Sequence, residues 1–113
     1  MIREYKLFLQ DILDAIKDID SFVKGMDFMD FCRDEKTKSA VVWKIEVIGE
    51  ATKNIPQSVR SKYKEVPWKD MAKIRDKIAH FYFGIDYEIV WKVVKERLSG
   101  IKKDIKRIKA ENV

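Results

Sequence analysis

Apolar side chains return every three or four positions along most of this chain, a period that fits one face of an α-helix and does not fit a strand. From Ile2 to Val23 the residues Ile2, Tyr5, Leu9, Ile12, Leu13, Ile16, Ile19 and Val23 trace such a face, and Gly25 stands where a helix of this length would end. The segment KTKSAVVWKIEVIGEATKNIP repeats the period with Val41, Ile45, Ile48 and Ile55, while Trp43 and Val47 are apolar on another side. Two apolar faces ask for two neighbours: the core for one, and a second copy of the chain for the other.

The remaining segments keep the same period. PQSVRSKY reads as a short helix with Pro56 in its first turn, and Pro67 resets the chain before a helix that starts near Trp68. In that helix Met71, Ile74, Ile78 and Phe81 form the stripe and Gly84 supplies the stop, after which Asp86 is placed to cap a last helix from about Tyr87. Its stripe is Val90, Val94, Leu98, Ile101, Ile105 and Ile108, with the basic run KKDIKRIK on its outer side. Without an alternating run of strand length or a long connection, the expected fold is all-α, an antiparallel bundle of four to five helices. At 113 residues it fits a single domain over 1–113, since a second unit could not bury a core of its own.

Hydrophobic residues make up 46% of the chain and charged ones 38%, a balance that excludes disorder and suits helices with one buried and one wet face. The formal charge of +5 permits attraction to polyanions and serves solubility equally well. Cys32 is the one cysteine, so no disulfide forms within the chain and no second cysteine stands by to make a zinc site. The longest apolar runs fall far short of the roughly 20 residues a membrane span needs. The first residues, MIREYKLFLQD, carry acids where a secretory leader would not. The expected location is the cytoplasm, with no membrane contact.

One stretch, RDKIAHFYFGID, holds the one histidine of the chain. If the helix runs through it, Arg75 and His80 lie about 140° apart around the axis and about 7.5 Å apart along it. Tyr82 then lies two turns beyond Arg75, nearly in line with it. Asp76, four residues before His80, reaches the imidazole along the helix surface and favours its protonated form. Histidine is the side chain best poised to move protons near neutral pH, and arginine the one best shaped to hold a phosphate through two parallel hydrogen bonds. By spacing alone the pattern is weak: a single histidine near a helix end also caps carbonyls, and Tyr82 also serves as a packing residue with a wet hydroxyl.

The string VPWKDMAKIRDKIAHFYFGIDYEIVWKVV, preceded by VWKIEVIGEATKNIP, resembles the HepT-like branch of the HEPN (higher eukaryotes and prokaryotes nucleotide-binding) superfamily. The resemblance rests on R-x4-H extended to H-x-Y, on a polar residue after the arginine, and on both PW and IGEA at familiar separations. It implies a helical bundle that forms a two-fold homodimer, with two R-x4-H motifs facing each other across a cleft, and a metal-independent ribonuclease activity. It also implies a toxin role opposite an MNT-type nucleotidyltransferase antitoxin. By this likeness Arg75 and His80 take the catalytic positions, Asp76 is the supporting polar residue, and Tyr82 is the position that the partner adenylylates. Asp76 stands where many members carry asparagine, and Phe81 where a smaller residue is frequent.

RNA brings its own nucleophile, the 2′-hydroxyl, so cleavage asks for a base, an acid and positive charge at the phosphorane, with no cofactor and no metal. One chain offers one imidazole, and a two-fold axis through the cleft supplies the second. The rival expectation is a non-catalytic helical adaptor, or nucleotide-binding partner, of a nucleotidyltransferase. Lys102, Lys103, Lys106 and Arg107 read as a solvated face before they read as an RNA guide. Gly49 is expected to permit close helix approach, Glu46 and Glu50 to be solvated or paired without a chemical role, and Trp43, Trp68 and Trp91 to pack rather than stack on bases.

Overall fold

The computed structural model describes residues 4–79 and 84–111, and within them every regular element is helical. The elements are α1 (Tyr5–Val23), α2 (Phe28–Arg33), α3 (Glu35–Lys53), α4 (Gln57–Lys62), α5 (Trp68–Ala72), α6 (Ile74–Ile78), α7 (Tyr87–Lys92) and α8 (Leu98–Glu111), with one turn of π-helix, Val93–Arg97, joining the last two. The fold is all-α, as the apolar period requires.

α1 and α3 form the spine, and α8 closes on α1. Their directions follow from the pairs they make. Lys44 of α3 meets Asp18 near the end of α1 at 2.8 Å, while Phe8 and Asp11 near its start share a cleft with Ala51 and Asn54 at the other end of α3. The two helices are therefore antiparallel. Lys109 near the end of α8 donates to Gln10 near the start of α1, so α8 also runs against α1.

The expected stripes are the buried ones. Leu9, Ile12, Ile16, Ile19 and Val23 of α1 meet Val41, Ile45 and Ile48 of α3, and Val90, Val94, Leu98, Ile101, Ile105 and Ile108 complete the core. Burying such a side chain is worth roughly 1.5–3 kcal/mol, which is what holds helices this short in place. Tyr5 and Leu13 are half-buried at the stripe's edges, and Ile2 lies outside the described residues. The π turn adds a residue to the last helix, so that Val93 and Val94 both face inward.

Caps and polar anchors set the boundaries. Gly25 takes φ of 79°, the left-handed conformation that ends α1. Asp27 and Asp30 form a reciprocal capping box around the start of α2, an element the apolar period does not announce. Asp34 accepts from the Thr37 amide at 2.9 Å and opens α3. Arg60 reaches back to the Thr52 carbonyl at 2.6 Å and to that of Ile55 at 3.1 Å, tying α4 to the end of α3. Pro56 is the N-cap of α4, one residue outside the helix instead of in its first turn. Asp86 accepts from the Glu88 and Ile89 amides and caps α7 as expected.

Aromatic packing fixes α2 against the last helix. Phe31, fully buried, lies 5.1 Å from Trp91 and 6.2 Å from Tyr87 between ring centroids, and Phe28 lies 6.2 Å from Trp91. Lys38, at the start of α3, places its ammonium 4.4 Å from the centre of the Tyr87 ring and 2.8 Å from Glu35. The hydrogen bond to Glu35 raises its pKa above the ordinary lysine range.

One long helix expected from Trp68 through Phe81 is instead broken twice. Lys73, at φ −107° and ψ 18°, separates α5 from α6, and α6 ends at Ile78. Ala79 then turns extended, at φ −106° and ψ 136°, and pairs with Ile85 as an isolated antiparallel bridge, while the Asp86 amide donates to the Ile78 carbonyl at 2.7 Å. These bonds give the end of α6 partners from beyond the helix, and tertiary contacts of this kind override local propensity. Gly84 has φ of 88° and lies beyond Ile78, so it is not the residue that ends α6.

Candidate functional site

α3 turns a second face away from the core, and α6 lies across one end of it. Along that face stand Trp43, Glu46, Val47, Glu50 and Lys53, three and four residues apart as a helix surface demands. α6 contributes Arg75 and Asp76, α5 ends in Ala72 and leads to Lys73, and α1 brings Phe8 and Asp11. Between them is an open cleft of about 600 Å³.

Gly49 makes the crossing close. A β-carbon built on it would lie 3.5 Å from Ile74 Cγ2 and 3.6 Å from the carbonyl oxygens of Met71 and Ala72. The expected role of Gly49 holds: a side chain beyond a methyl would lift α5 and α6 away from α3.

At this crossing Arg75 Nε lies 2.5 Å from Glu46 Oε1, an ion pair between α6 and α3. The arginine side chain is 65% exposed and the glutamate 29%, so the carboxylate is the anchored partner. Glu50 pairs with Lys53 at 3.1 Å on the next turn, and the Asn54 side chain donates to the Glu50 carbonyl at 2.8 Å. Both glutamates are paired, as expected of them. Asp76 is exposed on α6 beside Arg75 and shares the cleft.

Trp43 does not pack as Trp68 and Trp91 do. It is 61% exposed, whereas Trp68 is buried with its indole N–H on the Tyr63 carbonyl at 3.0 Å, and Trp91 stacks against Phe31. Val47, beside it, is half-buried. The second apolar face of α3 is thus at the rim of the cleft that holds Arg75.

Of the four site residues expected from the sequence, Arg75 and Asp76 are placed, and His80 and Tyr82 lie outside the described residues, as does Phe81. The helical register assumed between Arg75 and His80 stops at Ile78, so the 140° separation and the Asp76–His80 contact along a helix surface do not carry over. The Ala79–Ile85 bridge keeps the two flanks of that segment together at the end of α6. Glu46, expected to be solvated or paired without a chemical role, is the residue that meets Arg75. Its signal is there in retrospect: EVIG puts a carboxylate and a side-chain gap three apart on one helix face.

A family model described as ribonuclease HepT-like matches residues 12–108. The chain belongs to the ribonuclease HepT-like family. "Putative RNase MJ0127" of Methanocaldococcus jannaschii is 48% identical over 106 residues, covering 94% of this chain and 88% of the relative. "Probable ribonuclease HepT" of Thermococcus cleftensis is 42% identical over 109 residues, 96% of this chain and 99% of the relative. No solved structure matches. The resemblance seen in R-x4-H-x-Y and IGEA is therefore that of a HepT-like chain, and the HepT-like match spans α3, α6 and Arg75. Among the described residues no group of three His, Cys, Asp or Glu is arranged to hold a metal ion, and no helix is long and apolar enough to cross a membrane.

Proposed function

We propose that this HepT-like protein is a metal-independent endoribonuclease, the toxin of a pair whose antitoxin is an MNT-type nucleotidyltransferase. The observation that carries the reading is the exposed guanidinium of Arg75 at the wall of an open cleft, in a chain whose relatives bear ribonuclease names. Arg75 holds the scissile phosphate and stabilises its developing charge. His80 moves the protons: one imidazole takes the proton of the 2′-hydroxyl as its oxygen attacks phosphorus, and the imidazole of a second subunit gives a proton to the 5′-oxygen as that bond breaks. The products are a 2′,3′-cyclic phosphate and a 5′-hydroxyl. Asp76 is the supporting polar residue, an exposed carboxylate beside Arg75 in the same cleft.

The two-fold homodimer that brings the two motifs together buries the face carrying Trp43 and Val47, the apolar rim beside Arg75. Adenylylation of Tyr82 then adds a bulky, negatively charged nucleotide where RNA phosphates lie, which silences cleavage.

The test is incubation of unmodified protein with RNA in a chelator, with wild type and His80→Ala compared and the new ends identified. Cyclic phosphate ends from wild type, and their loss in the variant, support the reading. Intact RNA from protein verified free of AMP would leave the non-catalytic adaptor in its place. Tyr82→Phe is expected to cleave RNA and to escape silencing by the nucleotidyltransferase.

A further inference from the structure

We propose that Glu46 is the positioning residue for Arg75: its carboxylate fixes the guanidinium in the attitude from which the two terminal Nη groups grip a substrate phosphate. The inference rests on the ribonuclease reading above. Three features of the crossing lead to it.

Arg75 stands on a helix of five residues with most of its side chain in solvent, so by itself it has four rotatable bonds and nothing to hold them. Catalytic charge works best when it needs no reorganisation at the moment of reaction. Glu46 supplies the missing restraint from a rigid support. α3 is 19 residues long and its Val41, Ile45 and Ile48 are fully buried, so the carboxylate is carried by a helix that cannot shift without opening the core.

The pair meets at Nε, 2.5 Å from Oε1. A carboxylate on that edge leaves the terminal fork of the guanidinium for a phosphate, so restraint and substrate need not share a donor. Gly49, one turn along the same face, sets the distance by letting α5 and α6 settle onto α3. The neighbouring carboxylate, Glu50, is engaged with Lys53, while Glu46 is the one that meets Arg75. Glu46 itself repels phosphate, so its action on the substrate passes through the arginine.

The experiment compares wild type, Glu46→Gln and Glu46→Asp as full-length, unmodified proteins on a mixed-sequence RNA, with thermal melts confirming that each variant folds. Glu46→Gln is expected to lose turnover on the order of 100-fold, the scale of an ångström-sized misplacement, with KM little changed. Glu46→Asp recovers part of the loss. A Glu46→Gln, Arg75→Lys double variant is no worse than Arg75→Lys alone, because both act through one group. The Arg75 Nε–H resonance is expected to be distinct and slowed in exchange in wild type and to be lost in Glu46→Gln.

Glu46→Gln turning over at or above the wild-type rate, losses that multiply in the double variant, or an unchanged Arg75 resonance would each overturn the proposal. These outcomes differ from failure of the ribonuclease reading itself, in which wild type leaves RNA intact and the positioning role goes with it.

Discussion

Gly49 of α3 faces Ile74 at a distance that leaves room for a methyl group and no more, since a β-carbon would sit 3.5 Å from Ile74 Cγ2. Gly49→Ala is therefore expected to fold normally and even to gain up to about 1 kcal/mol from helix propensity. Gly49→Leu forces α5 and α6 outward at a cost of roughly 1–3 kcal/mol. Denaturant melts of the two variants check the contrast, and loss of RNA cleavage in Gly49→Leu alone would follow from the separation of Arg75 and Glu46.

Arg75→Lys keeps a positive charge in the cleft but loses both the Nε donor that faces Glu46 and the planar fork. Cleavage is expected to fall roughly 100- to 1000-fold, in the range found when one transition-state donor is removed. Initial rates at saturating RNA measure it, and a variant within a few-fold of wild type would remove the assigned role.

Trp43, exposed at the rim of the cleft, is the residue to change if the second face of α3 joins two copies. Trp43→Glu is expected to give a monomer by sedimentation and to abolish cleavage without lowering the melting temperature of the isolated fold. A Trp43→Glu protein that stays dimeric would place the interface elsewhere.

Phe31 ties α2 to the last helix through Trp91 and Tyr87. Phe31→Ala should cost roughly 3–5 kcal/mol, as for other buried aromatic truncations. A loss below about 1 kcal/mol in a denaturant titration would mean that the site collapses around the missing ring.

Acid should loosen the fold at two described points. The Thr37 amide and side chain hold the Asp34 carboxylate below its ordinary range, and the hydrogen bond from Arg107 does the same for Glu65. Both groups bind protons more readily in the unfolded chain. Their stabilisation is present above the ordinary carboxylate range and is lost as pH falls through the lowered values. Melting temperature against pH should therefore drop less steeply in Asp34→Ala and Glu65→Gln than in wild type, from a lower plateau near neutrality.

The amino-acid sequence by itself determined that the chain is helical, which faces are buried and which family it belongs to. A period of three and four is a property of one helix, and R-x4-H-x-Y is a local string, so neither needs knowledge of how segments pack. Only tertiary structure decided where the helix carrying Arg75 stops, because the bridge between Ala79 and Ile85 and the bond from Asp86 to Ile78 join residues that local propensity treats separately. It also decided what Arg75 faces. Glu46 lies 29 positions earlier in the chain, and nothing in either segment alone says that a gap at Gly49 lets the two helices come close enough for their charges to meet.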